Sequence, residues 1–581
     1  MAAHDMPVVH ETAPLHPGPA PHTARARRRR RPATVEEGGL GGSGLAAAVV
    51  GALALAVFAL QLPALVRAMA LNGDIASMPA LVTLLQGAPP GRMVTLSNAP
   101  EYESLAILRA TLDWPAHRLL WLALPYVLTG GGLALLARTM WVTWGRWAAA
   151  MALATLVVTA EGLRMTLFGI CAHCFSLLSM ILLGAVLVAF ARRPPRSPAT
   201  WLLTGLGLVA VVGPGTPDLL LIATGILPFA LAGVALCWLA GGAEHRRLAT
   251  FTVLVSAAAT GVGLLLAAQM RADDIVPSPA FGVAFATFQQ LQANVPLMLQ
   301  GFADLAGAHT FGQPVDARSL LGFLRGAPAI VGFLAACWIA CTRLRDYAEH
   351  RVAARAQPPE RVAFVLFWGA VLLLDATVLL VSDLPHDGAT GRYLIPAFYA
   401  GAVLLPALAR GSAQARAYVA IGVLAFSIGV LGRHVVEGPE VFGDGPDAAQ
   451  AAAVQRFVTG HGATVGYAGY QDAEVLTWQT HARLQVFPVL AGFGCPLEIC
   501  PYYVMNVSTW YLPRPGVRSF VVTHPTLTEA HLHALPRFAG RPIAQARFGS
   551  ASVFVYDHDV ARDLGAPPGP KVETVVSPVA G

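Results

Sequence analysis

The polar stretch 67–116 separates the first two long apolar runs of the chain and contains four acidic residues, three of which are candidates for chemistry. Asp74 occurs in LNGDIASMP, directly after the first run, and Glu101 and Glu103 occur in SNAPEYES. A carboxylate held at a membrane surface can act as a base, ligate a metal or pair with a cation. We therefore treat these three acids as candidate catalytic residues. A helix cap or a solvated loop acid is the alternative for Asp74.

Cationic and aromatic side chains occur together near position 390, in DLPHDGATGRYLIPAFYAG. This stretch contains His386, Asp387, Arg392 and Tyr393, while Arg271 begins another long polar loop. A fixed guanidinium can stabilise a phosphate through charge-assisted hydrogen bonds. These five residues are candidate substrate-binding residues. For Arg392, anchoring to lipid headgroups is the alternative.

Four of the seven cysteines lie in two closely spaced pairs. Cys495 and Cys500, in GCPLEICP, are predicted to form a small disulfide in an oxidising compartment. Cys171 and Cys174, in FGICAHCF, are predicted to form a structural disulfide or a metal-free thiol pair. This CxxC motif resembles the vitamin K epoxide reductase family, whose motif passes electrons to a quinone. The resemblance implies an alternative function as a membrane thiol/quinone oxidoreductase, although the stretch 67–116 contains no cysteine to complete an electron relay.

The elements that position these residues are predicted to be membrane helices. Of 581 residues, 55% are hydrophobic and only 12% are charged, and the mean hydropathy is +0.58. Such a composition is typical of an integral membrane protein. Apolar runs predict roughly eleven spans. They lie near 45–66, 119–136, 148–161, 175–191, 201–212, 219–240, 251–269, 327–341, 362–381, 393–409 and 418–432. The run 201–212 is short and could be re-entrant.

The distribution of arginine predicts the orientation. A cluster at 25–31 precedes the first run, and alternate loops thereafter are basic. The positive-inside rule then predicts a multi-pass protein of the cell inner (plasma) membrane with a cytoplasmic N-terminus. Residues 1–42 are predicted to be a disordered, Arg-rich cytoplasmic segment. The transmembrane domain is expected to occupy 43–434, with outer loops 67–116 and 270–326.

The tail after position 434 has a different composition. A helical pattern at 447–462 precedes alternating segments such as ATVGYAGY and RSFVVTH, which are separated by Gly and Pro. We expect a small α/β or α+β extracytoplasmic domain at 435–560, followed by a disordered tail at 561–581.

The last outer loop resembles the GT-C class of integral-membrane glycosyltransferases, in an uncharacterised bacterial branch. In that class an Arg-Tyr pair opens a late span before a proline, matched here by Arg392, Tyr393 and Pro396, with Asp387 just upstream. The class also carries an acid in the first outer loop, matched by Asp74. Many members have two adjacent acids there, whereas Asp74 is followed by Ile75. The sequence therefore indicates no metal site, and the need for a divalent metal stays open.

This resemblance implies a GT-C-like polytopic α-helical membrane protein that transfers a hexosyl or pentosyl group. The sugar would move from a polyprenyl-phosphate donor to an unknown acceptor on the extracytoplasmic face, at the cell envelope. Asp74 would act as base, and Arg392 would stabilise the leaving phosphate with His386 or Arg271. Membrane lipid is the other expected partner. Nucleic acid is not, because the net charge of +6 arises from short arginine clusters between spans.

A non-catalytic membrane or transport protein is the remaining alternative. A transporter would use a polar site at the membrane midplane, beside discontinuous helices. Asp375, inside an apolar run, and the Gly/Pro-broken segment 213–217 are the features that support it.

Overall fold

The computed structural model describes residue 56 and residues 73–85, 94–96, 102–111, 117–157, 173–277, 284–308, 314–385, 388–437, 446–491, 499–502, 505–523 and 539–564. The predicted first span at 45–66, the Arg-rich segment 1–42 and the tail 565–581 lie outside these residues, apart from the single helical residue at position 56.

The first part of the chain consists of helices with two short strands. In order they are α1 (Gly73–Leu85), β1 (Val94–Leu96), α2 (Tyr102–Thr111), α3 (His117–Trp144), α4 (Arg146–Val157), α5 (Cys174–Arg192), α6 (Pro198–Val212), α7 (Leu219–Ala240), α8 (Ala243–Ala272), β2 (Ile275–Pro277), α9 (Phe288–Leu305), α10 (Ala317–Glu349), α11 (Arg351–Arg355), α12 (Pro359–Val381), α13 (Ile395–Ala409) and α14 (Ala413–Glu437). A 3₁₀ segment, Gly388–Leu394, leads directly into α13. Helix α7 contains a π-helical turn at Ile222–Ile226.

Nine helices in the described part of the chain are long and apolar enough to cross a membrane. They are α3, α5, α6, α7, α8, α10, α12, α13 and α14. The polytopic helical fold expected from the sequence is confirmed. The predicted span at 148–161 overlaps α4, whose described part has 12 residues. The run 201–212 belongs to a helical stretch of 18 residues, Pro198–Gly215, so its length is sufficient to span.

Helices α12 and α13 form the centre of the bundle. In the most apolar window of the α13 stretch, 78% of the residues are buried, against 22% for α3. Helix α13 presents apolar or small residues on every side, which suits a helix that is surrounded by other helices. Gly184 of α5 lies against the ring of Phe367 in α12. Small residues of this kind let helices approach closely where lipid supplies no hydrophobic driving force.

The predicted C-terminal mixed β-sheet domain is also present. Its helices are α15 (Ala448–Gly460) and α16 (Tyr470–Gln479). Its strands are β3 (Ala463–Gly469), β4 (Gln485–Ala491), β5 (Ile499–Pro501), β7 (Arg518–Thr523), β8 (Ala544–Phe548) and β9 (Ala551–Tyr556), in the sheet order β5-β4-β3-β7-β9-β8. Strands β4, β3 and β7 are parallel to one another. Strand β5 pairs antiparallel with β4, β9 pairs antiparallel with β7, and β8 pairs antiparallel with β9. Asp447 caps α15 by accepting a hydrogen bond from the Gln450 amide.

A second, three-stranded sheet joins three parts of the chain that are far apart in sequence. Strand β1 of the first outer loop pairs in parallel with β2 and antiparallel with β6 (Asn506–Val507) of the C-terminal domain. Helix α16 also packs against α1. The C-terminal domain is therefore attached to the first outer loop by backbone hydrogen bonds and by helix packing.

Candidate functional site

The helix starts of α5, α7 and α13 meet at one end of the bundle. His173 precedes α5, Asp218 precedes α7, and Tyr393 lies in the 3₁₀ segment before α13. His173 Nδ1 lies 2.7 Å from Asp218 Oδ2, and the ring of His173 meets that of Tyr393 edge-to-face at 5.9 Å. Side chains that are more than two hundred positions apart are thus brought into one cluster, which we call the His173 cluster.

Asp218 is the most deeply buried member of this cluster, with its side chain 3% exposed. Its Oδ2 also accepts a hydrogen bond from the Ser176 hydroxyl at 2.6 Å, and its Oδ1 accepts one from the Leu220 amide at 3.0 Å. Burial alone would raise the pKa of Asp218, but the His173 charge and these hydrogen bonds together lower that pKa below its usual value. Asp218 is therefore held as a carboxylate that accepts several hydrogen bonds, and it caps the N-terminus of α7.

His173 adopts a backbone conformation that is uncommon for a residue with a side chain. Its φ is 65° and its ψ is 16°, in the left-handed region. The side chain is 13% exposed. Asp218 accepts a hydrogen bond from Nδ1, and this contact orients the imidazole toward Tyr393. Strained backbone of this kind persists where the surrounding contacts fix it, and it is concentrated at functional sites.

Arg392, the leading sequence-predicted binding residue, lies beside this cluster. Its guanidinium carbon is 5.2 Å from the centre of the Tyr393 ring, and Nη2 is 3.5 Å from the Tyr393 hydroxyl. The Arg392 side chain is exposed. The arrangement leaves a cation at the surface of the bundle, above a partly buried aromatic ring.

Two contacts fix the backbone that carries Arg392 and Tyr393. Asp375, buried in α12, accepts a hydrogen bond from the Ala397 amide at 2.9 Å, in the first turn of α13. Gly391 meets Gly301 of α9 so closely that a Cβ at position 391 would lie 2.8 Å from the Gly301 carbonyl oxygen. Asp375 thus satisfies a helix N-terminus, which explains a carboxylate inside an apolar span.

Helix α9 is itself attached to the end of α12. The Asn294 side-chain amide donates to the carbonyl oxygens of Leu380 and Ser382, both at 2.8 Å. Phe285 and Phe288, just before and at the start of α9, are 89% and 73% exposed. Helix α9 therefore packs against the Arg392 turn on one side and presents aromatic side chains on the other.

The first outer loop approaches the same end of the bundle. Asp74 lies in the first turn of α1, and Glu103 lies in α2. Helix α1 packs against α2, which contacts the turn Gly213–Gly215 just before Asp218. Tyr102 is buried, and the pKa of its hydroxyl is raised by desolvation, while the positive charge of Arg271 lowers it in part. Arg271 therefore lies close to the first outer loop.

Several sequence-predicted site residues have no described side chain. Glu101, His386 and Asp387 lie outside the described residues, and the side chains of Asp74 and Glu103 are likewise not described. The roles of Asp74, Glu101 and Glu103 as catalytic residues stay predictions, as do those of His386 and Asp387. Arg392 and Tyr393 lie together, whereas Arg271 lies with Tyr102.

Cys174 lines a small apolar cavity of about 10 Å³, which is about the space of one water molecule. The lining comes from α3, α5 and α13 and consists of Leu128, Thr129, Gly132, Cys174, Leu177, Leu178, Ile181 and Tyr399. The Cys174 side chain is buried, with Sγ 3.9 Å from the Thr129 hydroxyl. Cys171 lies outside the described residues, so its pairing with Cys174 stays a prediction. The cavity is apolar, but its volume is too small for a hydrocarbon chain.

Cys500 of strand β5 is disulfide-bonded. Cys495, its predicted partner, lies outside the described residues, so the identity of the pair stays a prediction. In the same domain, Trp510 is buried and stacks on Phe487 at 4.9 Å. Trp510 therefore belongs to the domain core.

The sequence pattern alone did not identify His173 as a functional residue. The available signals were a histidine inside a CxxC motif and an aspartate after the PGTP turn. Neither residue predicts contact with the other, because they precede different helices. Within the described ranges, no group of three or more His, Cys, Asp or Glu residues is arranged to hold a metal ion.

Comparisons with known proteins were made for both sequence and structure. No protein-family model matches the sequence, and no curated protein matches it. Two solved structures of ArnT from Cupriavidus metallidurans are similar to this chain, one bound to undecaprenyl phosphate and one in the apo state. Their identities are 13% and 14%, with TM-scores of 0.45 and 0.44. Each alignment covers 89% of this chain and 98% of the ArnT chain.

Proposed function

We propose that this protein is a membrane glycosyltransferase that moves a sugar from a polyprenyl-phosphate donor to an acceptor at the extracytoplasmic surface. The observation that carries the proposal is the position of Arg392 and Tyr393. A cation and a hydroxyl lie at the end of the bundle, beside His173 and just before the apolar helix α13. A lipid-linked phosphate requires such a combination, because its tail stays in hydrocarbon while its charged group stays at the boundary.

The proposed reaction is a displacement at the anomeric carbon. The acceptor hydroxyl oxygen forms a new bond to that carbon, and the bond from the carbon to the phosphate oxygen breaks. The phosphate leaves with the electron pair, and a carboxylate takes the hydroxyl proton. We assign the base role to Asp74 on α1, with Glu101 and Glu103 as further candidates in the same loop.

Arg392 is proposed to stabilise the charge that develops on the leaving phosphate. A fixed guanidinium does this without reorganising during the reaction. Arg271 lies close enough to Tyr102 for its charge to act on the first outer loop. His386 and Asp387 precede the 3₁₀ segment in sequence and are proposed to contribute to donor binding.

The predicted orientation of the chain in the membrane supports an extracytoplasmic site. The arginine-rich loops predicted to be cytoplasmic lie at the end of the bundle opposite the His173 cluster, since α5 runs from Cys174 to Arg192. The C-terminal domain is joined to the first outer loop through β6 and β1. We therefore propose that the loops, the His173 cluster and the C-terminal domain face the extracytoplasmic side.

The test is transfer by the purified protein in liposomes. A polyprenyl-phosphate donor carrying a radiolabelled sugar is supplied with envelope extract as acceptor, and labelled product is measured. We expect Arg392→Ala and Asp74→Asn each to reduce the rate by about 10²- to 10³-fold, as for loss of one preorganised charge or of a base. Arg318→Ala and Asp273→Asn remove exposed charges near the same end of the bundle and serve as matched controls. Equal rates in all four variants would refute the proposal.

The oxidoreductase alternative makes a separate prediction about Cys171 and Cys174. Addition of an oxidised quinone should then remove free thiol from the protein, and Cys174→Ser should abolish that loss. The burial of Cys174 limits access from water, so a quinone would have to arrive from the hydrocarbon side. A free thiol count that quinone leaves unchanged would exclude this function.

A further inference from the structure

We infer that His173, held by Asp218, is a positioning residue for Arg392 and acts through Tyr393. This inference rests on the proposed function, because it assigns His173 a part in the same site. It concerns a residue that the sequence analysis did not single out and that belongs to none of the proposed catalytic groups.

Asp218 is the fixed end of this chain of contacts. It accepts hydrogen bonds from Ser176, from the Leu220 amide and from His173, which together occupy both carboxylate oxygens. Its side chain is 3% exposed. The turn before it is held in place as well, because Thr216 donates to the Gly213 carbonyl oxygen at 2.9 Å. A carboxylate with so many partners has little freedom to move.

His173 transmits this constraint to the 3₁₀ segment. With φ at 65°, the backbone of His173 departs from the helical path of α5, which begins at the next residue. The Nδ1 contact with Asp218 leaves the rest of the imidazole in contact with Tyr393, at 5.9 Å and an interplanar angle of 71°. Edge-to-face contacts of this type restrict the orientation of both rings.

Tyr393 in turn restricts Arg392. The guanidinium carbon lies 5.2 Å from the Tyr393 ring centre. An exposed arginine has many rotamers, and contact with a fixed aromatic face reduces their number. The other supports of this segment, Asp375 and Gly301, hold its backbone. His173 is therefore the contact that fixes the aromatic side chain on which the cation lies.

The variants separate the two contacts of His173. Asn is the best-tolerated residue in the left-handed region after Gly, and its amide can still donate to Asp218, so His173→Asn removes the ring contact alone. His173→Phe keeps a ring near Tyr393 and removes the hydrogen bond to Asp218. The control is His245→Asn, which removes a histidine whose Nδ1 lies 2.7 Å from the Gly241 carbonyl oxygen, at the other end of α7.

Two measurements are made on each variant. The first is amide hydrogen exchange over residues 391–394 of the detergent-solubilised protein, which does not depend on any activity. We expect exchange there to be about two- to tenfold faster in His173→Asn, as for loss of one aromatic contact, and unchanged in His245→Asn. The second is sugar transfer, for which we expect kcat/KM to fall by about 10²-fold in His173→Asn.

A third variant distinguishes positioning from a general structural role. If His173 acts through Arg392, then His173→Asn should cause no further loss of transfer in an Arg392→Ala background, because the two changes remove the same interaction. A purely structural residue would add its full effect in both backgrounds. Full additivity would overturn the inference.

The outcomes also separate this inference from the proposed function. Faster exchange at 391–394 in a protein that transfers no sugar would leave His173 as a positioning residue and refute the glycosyltransferase. Normal exchange with active transfer would refute the role of His173 and retain the glycosyltransferase. Normal exchange without transfer would refute both.

Discussion

The contact between Gly391 and Gly301 gives the sharpest prediction about the Arg392 turn. A Cβ at position 391 would lie 2.5 Å from the Gly301 Cα and 2.8 Å from its carbonyl oxygen. Ordinary contacts between such atoms are about 3.5–4.0 Å, so Gly391→Ala has to separate the two segments by roughly 1 Å. Both partners are backbone, which cannot rotate away as a side chain could. We expect a loss of about 1–3 kcal/mol in the free energy of unfolding and a fall of about 10²-fold in transfer, since a shift of this size misplaces Arg392.

Thermal unfolding in detergent and transfer in liposomes measure the two effects. The control is Gly422→Ala in α14, where an added Cβ meets nothing within 4 Å. That substitution should leave transfer unchanged and stabilise the helix by up to about 1 kcal/mol. If Gly391→Ala unfolds at the wild-type temperature and transfers sugar at the wild-type rate, then the close backbone approach does not position Arg392, and our account of this turn is wrong.

Three further predictions concern single residues elsewhere in the molecule. Asp375→Asn should resemble the wild type in transfer and thermal unfolding, because an amide oxygen can still accept from the Ala397 amide. Asp375→Leu should lower the free energy of unfolding by about 1–3 kcal/mol; transfer of a solute that depends on Asp375 would instead favour the transporter alternative. The pKa of Asp218 is lowered in the folded state, so its contribution to stability is present above about pH 4 and is lost as the pH falls further through the lowered pKa. Between about pH 5 and pH 3, the stability of Asp218→Asn measured by thermal unfolding should therefore fall less than that of the wild type. If the stabilities of the two proteins change in parallel with pH, this assignment is wrong. Cys500→Ser should lower the free energy of unfolding by about 2 kcal/mol if Cys495 is the partner, as expected for closing a short loop. Mass spectrometry of a non-reduced digest identifies the partner directly, and a peptide that links Cys500 to another cysteine would refute the predicted pair.

The sequence predicted the positions of most elements of the bundle. Apolar runs near 175–191, 219–240 and 362–381 correspond closely to α5, α7 and α12. This success has a simple cause, since a backbone in hydrocarbon must satisfy its own hydrogen bonds and an apolar run of sufficient length therefore forms a helix. The strands β3 and β7 were also predicted, because alternation of apolar residues between Gly and Pro is a local signal.

The sequence did not predict the small sheet of β1, β2 and β6. Its strands have two or three residues each, which is too short for any alternation to be recognised. They pair only because three distant segments meet in space. For the same reason, the attachment of the C-terminal domain to the first outer loop could not be predicted from the sequence.

What the sequence by itself determined is the membrane class, the approximate spans and the basic and acidic loop pattern. Each of these depends on residues that are close together in the chain. Only the tertiary structure decided that His173 and Asp218 meet beside Tyr393, and that Asp375 caps α13. Those contacts join different helices, and a membrane span carries little information about its neighbours because its apolar surface is equally suited to lipid and to another helix.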